Sequence, residues 1–358
     1  MTTSVLFIAE AGVNHNGSID LALRLVDAAA AAGADVVKFQ TFKADKLATR
    51  QAAKAEYQVS NTGEAGSQLE MLRRLELSPA HHEQLLEHCR ERGIAFMSTA
   101  FDEESLAMLA PLGMPAIKIP SGDITCGPLL LQAARLRQKL IVSTGMSTLA
   151  DIEQALGVIA FGLTQDATPR GRADFDAAYC SEAGRRALEQ HVTLLHCVTQ
   201  YPAPAAAVHL KAMDTMADAF GLPVGYSDHT LGIEVSIAAV ARGACVIEKH
   251  FTLDRNLPGP DHAASLEPAE LTQLISAIRN VEQALGRPLK QPAEAEAVNR
   301  PIARRSVVAA RTIRKGDVLT ADMLTSKRPG TGISPLEIWS LPGRVATRDY
   351  EADELIEP

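Results

Sequence analysis

The chain has 358 residues, with 35 Lys and Arg against 43 Asp and Glu, so its formal net charge is −8. This charge excludes a broad basic surface for nucleic acid, and 4% aromatic residues are too few for a platform on which bases stack. At about 150 residues per domain, the length predicts two domains. We expect a cytoplasmic enzyme that contacts no membrane, because no apolar run reaches a membrane span of roughly 18 residues, the first residues lack a basic leader, and the cysteines are few and widely spaced.

The first part of the chain, residues 1–285, alternates short aliphatic runs with Ala-, Leu- and Glu-rich stretches of helical period. The aliphatic runs predict eight strands, at residues 5–9, 35–39, 94–97, 116–119, 140–142, 192–195, 223–226 and 245–247. Eight strands, each followed by a helix, predict a (β/α)8 TIM barrel as the catalytic domain. A doubly wound open sheet is the alternative, although such sheets usually have five or six parallel strands.

Two connections in this part are too long for simple loops. Thr41–Ser78 is rich in Lys, Gln, Ser and Gly, and it predicts either a lid or a solvated loop. Phe161–Gln190 is polar and predicts a solvated excursion. Residues 286–300 are polar and contain proline, as linkers do, and residues 301–358 predict a small β-rich domain. Its strand-like pieces are Ser306–Ala310, Thr312–Thr320 and Arg344–Ile356, and the last two form a weak internal repeat.

Polar side chains follow the predicted strands directly, where a TIM barrel carries its active site. Two lysines and a glutamate that emerge from apolar strands are unusual, because burial of an unpaired ionisable group costs several kcal/mol. The polar residues at these ends are Glu10, Asn14, His15, Lys38, Gln40, Ser98, Thr99, Lys118, Ser121, Asp123, Ser143, Thr144, His196, Thr199, Tyr201, Ser227, Asp228, His229, Glu248, Lys249 and His250.

Lys38 and Lys118, together with the serine and threonine hydroxyls, predict a site for a small phosphorylated carboxylate. The alternative for each lysine alone is a snorkelling side chain or an ion pair with Glu10 or Glu248. His229 and His250 end neighbouring strands, so they predict either a site for a divalent metal ion or a buried, hydrogen-bonded pair. We expect Cys197 to be packing rather than a nucleophile.

Eight segments of the chain, in order, resemble the bacterial sialic acid synthases, the N-acetylneuraminate synthases and their relatives that make N,N′-diacetyllegionaminate and pseudaminate. The resemblance covers essentially the whole chain, and the tail from Ser306 resembles the antifreeze-like (SAF) domain of that family. The segments are AEAGVNHNGS, DVVKFQTFK, KIPSGD, VSTGM, LLHCVTQYPAP, VGYSDHTLG, EKHFTLDRNLPGPDHAASL and SKRPGTGIS.

The resemblance implies a transferase of sialic acid biosynthesis that condenses phosphoenolpyruvate with an N-acetylhexosamine and water and releases phosphate. The main expectation is N-acetylmannosamine as the sugar and N-acetylneuraminate as the product. The alternative is a 2,4-diacetamido-2,4,6-trideoxyhexose, which would give N,N′-diacetyllegionaminate or pseudaminate. From other classes, a metal-dependent barrel aldolase and a sugar-binding protein also remain open.

The resemblance also implies roles for individual residues. Phosphoenolpyruvate would be held by Lys38, Lys118, Thr99, Ser121, Ser143 and Ser227. A Mn²⁺ or Mg²⁺ ion would be bound by His229 and His250. Glu10, Gln40, Thr199, Tyr201 and Asp261 would surround the metal and the amino sugar. Arg328 would reach the N-acetyl group in the other subunit of a domain-swapped homodimer.

We expect the catalytic residues to be Glu10, Asp123 and Lys118. The condensation needs carboxylates for proton transfer, which Glu10 and Asp123 would supply, and Lys118 would hold phosphoenolpyruvate. Asp123 departs from the family pattern, since many members have Glu at this place, and the loss of one methylene shortens its reach by roughly 1.5 Å. Thr199 stands where some members have Asn, which removes an amide donor.

Overall fold

The computed structural model of the chain describes residues 4–54, 59 and 67–358. The chain divides into two compact units, one up to Gly286 and the other spanning Arg287–Pro358. In the described part of the chain, no helix combines the length and the apolar character needed to cross a membrane.

Eight parallel strands form the sheet of the first unit. Their hydrogen-bonded order is β3-β2-β1-β8-β7-β6-β5-β4, and β3 also contacts β4, so the sheet is a nearly closed barrel. This confirms the TIM barrel and excludes the open sheet. The strands are β1 Leu6–Gly12, β2 Val36–Thr41, β3 Ala95–Ala100, β4 Ile117–Ile119, β5 Leu140–Ser143, β6 Val192–Cys197, β7 Val224–Asp228 and β8 Val246–His250.

Helices surround this barrel and bury their apolar faces against it. In the first helix, the Ser18 hydroxyl caps the amino end by accepting from the Leu21 N–H at 3.4 Å, and Gly33 ends the helix at φ 83°. The helices are α1 Ile19–Ala32, α2 Ala44–Leu47, α3 Gln68–Leu75, α4 Pro79–Arg92, α5 Glu103–Leu109, α6 Gly127–Arg135, α7 Leu149–Thr164, α8 Arg172–Cys180, α9 Glu182–His191, α10 Ala212–Phe220, α11 Glu234–Ala241 and α12 Pro268–Leu285.

Most strands extend further towards their carboxyl ends than the hydrophobic runs predict. Glu10, Lys38 and Glu248 lie inside their strands, and all three side chains are buried. The ion pairs among them remove the cost of isolated buried charges, so an aliphatic side chain is not required to continue the strand.

The two long connections differ in structure. The first contains α2 and α3, while residues 55–58 and 60–66 of the predicted lid lie outside the described residues. The second is helical rather than a solvated excursion, because α8 and α9 pack against α7, with the Phe161 and Phe175 rings 5.5 Å apart. In this second connection, the few apolar residues therefore lie on one buried face of each helix.

The second unit has its own apolar core around β9 Ser306–Ala309 and β10 Leu324–Lys327, which pair antiparallel. A short helix, α13 Arg300–Ala303, precedes β9. The sequence predicts β9 but not β10, whose polar sequence LTSK carries no strand signal. The two copies of the weak repeat form only isolated bridges, Ile313 with Tyr350 and Val318 with Val345.

Candidate functional site

The carboxyl ends of the barrel strands enclose a cavity of about 160 Å³. Side chains alternate along a strand, so every second residue near a strand end points into the barrel. The cavity is lined by Glu10, Lys38, Gln40, Thr99, Phe101, Lys118, Pro120, Ser121, Gly122, Ser143, Cys197, Thr199, Tyr201, Ser227, His229, Glu248 and His250.

Two lysines and two glutamates form the charged floor of this cavity. The Lys38 Nζ lies 2.6 Å from Glu10 Oε2 and 3.6 Å from Glu248 Oε2, and the Lys118 Nζ lies 3.3 Å from Glu248 Oε1. All four side chains are buried, so these charges interact with little screening by water. Glu248 contacts both ammonium groups and thereby joins the four residues into one network.

The pKa values of the two glutamates of this network shift in opposite directions. Burial raises the pKa of Glu10, even though the Lys38 ammonium opposes that shift. Burial also acts on Glu248, but Lys118 and Lys38 overcome it and lower the pKa of that carboxyl to about 2. The raised pKa of Lys38 reflects the two glutamates, which outweigh its burial. Glu248 is therefore ionised at neutral pH, and Glu10 is the one of the two carboxyls that takes up a proton more readily.

Hydroxyl groups surround the charged floor. The Lys38 Nζ donates to Thr99 Oγ1 at 2.9 Å, and the Ser227 Oγ donates to Glu248 Oε1 at 3.0 Å. The Ser143 Oγ is buried and has no hydrogen-bond partner among the residues that the structure describes. A buried hydroxyl without a partner is costly, so this one is available to a bound ligand.

The loop after β5 approaches these hydroxyls closely at Gly145. Its N–H donates to Ser121 Oγ at 3.0 Å, and a Cβ at this position would lie 2.3 Å from Thr199 Oγ1. No side chain fits there, so glycine is required for the loop to close this side of the cavity. The Ser121 Oγ also lies 3.0 Å from Cys197 Sγ.

His229 and His250 converge at the rim of the cavity, with ring centroids 5.8 Å apart. The His229 Nδ1 lies 2.6 Å from the Val198 carbonyl oxygen, which can only accept, so the proton is assigned to Nδ1. The His250 Nδ1 is buried, and no described residue forms a hydrogen bond with it. Burial lowers the pKa of both imidazoles and keeps them neutral, the form that binds metal ions.

The two histidines fit a metal ion that takes its other ligands from water and substrate. In the described residues, no group of three or more His, Cys, Asp or Glu side chains is arranged to hold a metal ion. Two neutral imidazoles provide two ligands, and the orphaned His250 Nδ1 needs a partner. Such a site leaves the remaining positions to water and substrate, as a catalytic metal requires.

A second cavity of about 430 Å³ adjoins the first and shares Gln40, Tyr201 and His250 with it. Asp123 and Asp261 bring carboxylates into this cavity. Burial raises the pKa of Asp123 to about 6, with a smaller contribution from Asp102. Burial also raises the pKa of Asp261 to about 7, helped by the charge of Glu10.

One side of the second cavity is apolar, and we call it the apolar wall. The wall takes its residues partly from α2 and α3, and it belongs to a small hydrophobic cluster separate from the barrel core. The residues of the apolar wall are Val13, Phe42, Leu47, Met71, Leu72, Leu75 and Phe101.

The structure brings together all but one of the predicted site residues. Arg328 lies in the second unit, where its side chain is exposed and its Nε donates to the Ala303 carbonyl at 3.0 Å. The residues in the first cavity are Glu10, Lys38, Gln40, Thr99, Lys118, Ser121, Ser143, Thr199, Tyr201, Ser227, His229 and His250, and the second adds Asp123 and Asp261.

The sequence places Glu248 among the polar strand ends and gives it no role other than an ion pair with a lysine. The structure shows that it lines the cavity beside both lysines. Strand alternation from His250 is the signal that would have placed it there. Conversely, His196, Asp228 and Lys249 follow the strands but do not line either cavity. Lys249 and His250 are consecutive in β8, so only one of them can point into the barrel.

The fold, the site and the similarity to known synthases together define an enzyme: a phosphoenolpyruvate-dependent transferase that forms a C–C bond, of the N-acetylneuraminate synthase type. The NeuB family profile matches residues 25–290, and the SAF domain profile matches residues 304–358. The chain belongs to the NeuB family and ends in a SAF domain.

Curated relatives and a solved structure support this membership. The chain is 48% identical to an N,N′-diacetyllegionaminic acid synthase of Campylobacter jejuni over 351 residues, which covers 98% of each chain. It is 47% identical to the enzyme of the same name from Legionella pneumophila, covering 94% of this chain and 88% of that one. The crystal structure of an N-acetylneuraminic acid synthetase from Leptospira borgpetersenii matches with a TM-score of 0.66 at 32% identity, covering 83% of this chain and 90% of that one.

Proposed function

We propose that this enzyme condenses phosphoenolpyruvate and water with a 2,4-diacetamido-2,4,6-trideoxyhexose to give N,N′-diacetyllegionaminate and phosphate. The observation that carries the choice of sugar is the identity of 48% and 47% to two N,N′-diacetyllegionaminic acid synthases, against 32% to the N-acetylneuraminic acid synthetase of known structure. This replaces N-acetylmannosamine, the main expectation from the sequence, with the alternative sugar.

Phosphoenolpyruvate would bind in the first cavity. Lys38 and Lys118 supply two buried ammonium groups beside two glutamates, and the pKa of Glu248 is lowered whereas burial raises the pKa of Glu10. The cavity therefore favours an anion, and the unpartnered Ser143 hydroxyl offers a further hydrogen bond to phosphate or carboxylate.

His229 and His250 would hold a Mn²⁺ or Mg²⁺ ion between the two cavities. When bound, the ion supplies Lewis-acid polarisation of the aldehyde oxygen of the open-chain sugar. The neutral state of both imidazoles and the orphaned His250 Nδ1 support this assignment.

The condensation joins C3 of phosphoenolpyruvate to the aldehyde carbon, and the aldehyde oxygen takes up a proton to become a hydroxyl. Water then adds at C2 and loses one proton, which balances the proton taken up by the aldehyde oxygen. The C2–O bond to phosphate then breaks, the C2 hydroxyl gives its remaining proton to the departing phosphate, and the keto acid is left. Glu10 would transfer protons beside Lys38, because its raised pKa makes the carboxyl a better proton acceptor than an ordinary glutamate. Asp123, whose pKa is also raised, faces the second cavity and would serve the hydroxyls of the sugar.

The second cavity would receive the amino sugar. Its apolar wall suits the C6 methyl group and the acetyl methyl groups of the trideoxy sugar, whereas N-acetylmannosamine would place hydroxyl groups at C4 and C6. The short side chain of Asp123 leaves more room beside the wall than a glutamate would.

Arg328 of the partner subunit would complete this site in a domain-swapped homodimer. Within its own unit the arginine donates from Nε to the Ala303 carbonyl, and the residue is exposed. A guanidinium can donate to the carbonyl oxygen of an N-acetyl group, which supports the assignment.

The test is turnover of phosphoenolpyruvate with either 2,4-diacetamido-2,4,6-trideoxymannose or N-acetylmannosamine, followed by phosphate release and by the mass of the product. We expect one phosphate per product and a kcat/KM for the trideoxy sugar about 10–100-fold higher, the range in which an apolar pocket distinguishes a methyl from a hydroxyl-bearing analogue. Met71→Gln in the apolar wall should shrink this preference, while Met108→Gln on α5, outside the cavity lining, should preserve it.

Preference for N-acetylmannosamine would restore the neuraminate synthase assignment. Condensation without phosphate release would instead indicate an aldolase, and binding of sugar without any turnover would indicate a sugar-binding protein.

A further inference from the structure

The outer face of the barrel sheet carries a buried ion pair directly behind the two histidines. Asp228 and Lys249 are registered neighbours on β7 and β8, and the Lys249 Nζ lies 2.8 Å from Asp228 Oδ2. Both side chains are almost fully buried, at 0% and 1% exposure. We call this contact the strand-end ion pair.

The Asp228 carboxylate is fully occupied by donors from three elements. Its Oδ1 accepts from the backbone N–H and the hydroxyl of Thr230 at 2.8 and 2.7 Å, and from the Tyr226 hydroxyl at 3.3 Å. Its Oδ2 accepts from Ser236 of α11 at 2.6 Å, besides Lys249. So many donors to one carboxylate fix its position and stabilise its charge.

The strand-end ion pair is joined to the two histidines through the backbone. His229 and His250 each follow a member of the pair, and they point into the barrel because side chains alternate. The Lys249 Nζ also donates to the Thr230 carbonyl at 2.8 Å, so the residues on both sides of His229 are held. We propose that Asp228 and Lys249 are positioning residues that set the separation and orientation of His229 and His250.

Two contacts complete the fixation of His229 from the β6 side. Its carbonyl accepts from the Ala203 N–H at 2.8 Å, and its Nδ1 donates to the Val198 carbonyl at 2.6 Å. These contacts orient the ring only if the backbone at residue 229 stays in place. The strand-end ion pair supplies that restraint at the last registered position of β7 and β8.

The first measurement is Mn²⁺ binding to the full-length, metal-depleted protein, followed by the electron paramagnetic resonance signal of free Mn²⁺. Asp228→Asn should weaken Mn²⁺ binding about 10–100-fold, the range typical of groups that orient metal ligands. This expectation rests on the metal site of the proposed function. The double variant Asp228→Asn with Lys249→Met serves if the single one fails to fold, because it leaves no uncompensated charge in the interior.

The second measurement is independent of metal. In protein labelled with ¹⁵N-histidine, the His229 Nδ1–H should give a slowly exchanging signal that Asp228→Asn broadens or abolishes. If the wild-type protein does not bind Mn²⁺, the metal assignment fails, and this signal alone decides the positioning role.

Two variants control for a merely structural effect. Ser236→Ala removes one donor to Asp228 without breaking the link between β7 and β8. Asp35→Asn breaks the ion pair with Arg279 near the amino end of β2. Both should lower stability and leave Mn²⁺ affinity and the His229 signal unchanged. The proposal is overturned if Asp228→Asn behaves like these two variants.

Discussion

Replacement of Lys118 by methionine tests whether the charged floor of the first cavity binds phosphoenolpyruvate. Methionine keeps the length and apolar stem of the side chain and removes its charge. The Lys118 Nζ is buried 3.3 Å from Glu248 and lines the first cavity but not the second. The change should therefore act on one substrate only.

The magnitude follows from the type of contact that is lost. A hydrogen bond to a charged group contributes about 1.5–3 kcal/mol when desolvated. At 1.4 kcal/mol per tenfold, the KM for phosphoenolpyruvate should rise roughly 10–150-fold. Glu248 keeps Lys38 and Ser227 as partners, so the loss of Lys118 should cost stability near the lower end of the roughly 3–5 kcal/mol typical of a broken buried pair.

The assay is steady-state phosphate release with each substrate varied in turn. The matched control is Lys139→Met, at an exposed lysine just before β5 that donates to the Gln190 carbonyl at the opposite end of the barrel. This control should leave both KM values unchanged. An equal rise in the KM of the sugar, or a fall in kcat with an unchanged KM for phosphoenolpyruvate, would refute the assignment of Lys118 to binding of this substrate.

Two further predictions concern the second cavity and the second unit. Burial raises the folded-state pKa of Asp261 from 3.8 to about 7, so this carboxyl favours the folded state when protonated, and its contribution is lost as the pH rises from about 4 to 7. The difference in free energy of unfolding between Asp261→Asn and the wild type should therefore favour the variant more at pH 8 than at pH 5. Denaturant unfolding of the two metal-free proteins at both pH values measures this difference. If the free energies of unfolding of the two proteins change with pH in parallel, the raised pKa of Asp261 is contradicted. Arg328→Ala subunits mixed with His250→Ala subunits should regain activity if the arginine acts across a dimer, whereas mixtures that exchange subunits and stay inactive would place it elsewhere.

The barrel and its active end were predictable because both follow from local patterns. Aliphatic runs that alternate with helical stretches identify a parallel sheet, and parallel strands bring their carboxyl ends together. Lys38 and Lys118 could thus be placed in one cavity from residues far apart in the chain. The hydrophobic pattern does not show which face of the sheet each side chain occupies. Lys249 was therefore grouped with His250, although their side chains lie on opposite faces.

Other parts of the site depend on contacts that no local pattern reveals. The apolar wall forms because α3 packs against the segment after β2 and places Met71 and Leu72 beside the cavity. The sequence predicts a lid or a solvated loop for this segment, and neither places these side chains beside a cavity. In the second unit, β10 exists because Leu324–Lys327 pairs with β9, and its own sequence would fit a loop equally well.

The chain has a formal net charge of −8, which repels anions. The first cavity can therefore bind an anion only if the charges around it outweigh the net charge of the chain. At physiological ionic strength, charges more than about 8 Å away across solvent are largely screened, so the buried network determines the potential inside the cavity. Two ammonium groups without carboxylates would repel each other and destabilise the empty site. Glu248, whose pKa is lowered to about 2, offsets one of them, while the raised pKa of Glu10 would let this carboxyl take up a proton as an anion enters. In the proposed function, the carboxyl that pairs with Lys38 in the empty barrel would then carry a proton beside the bound substrate.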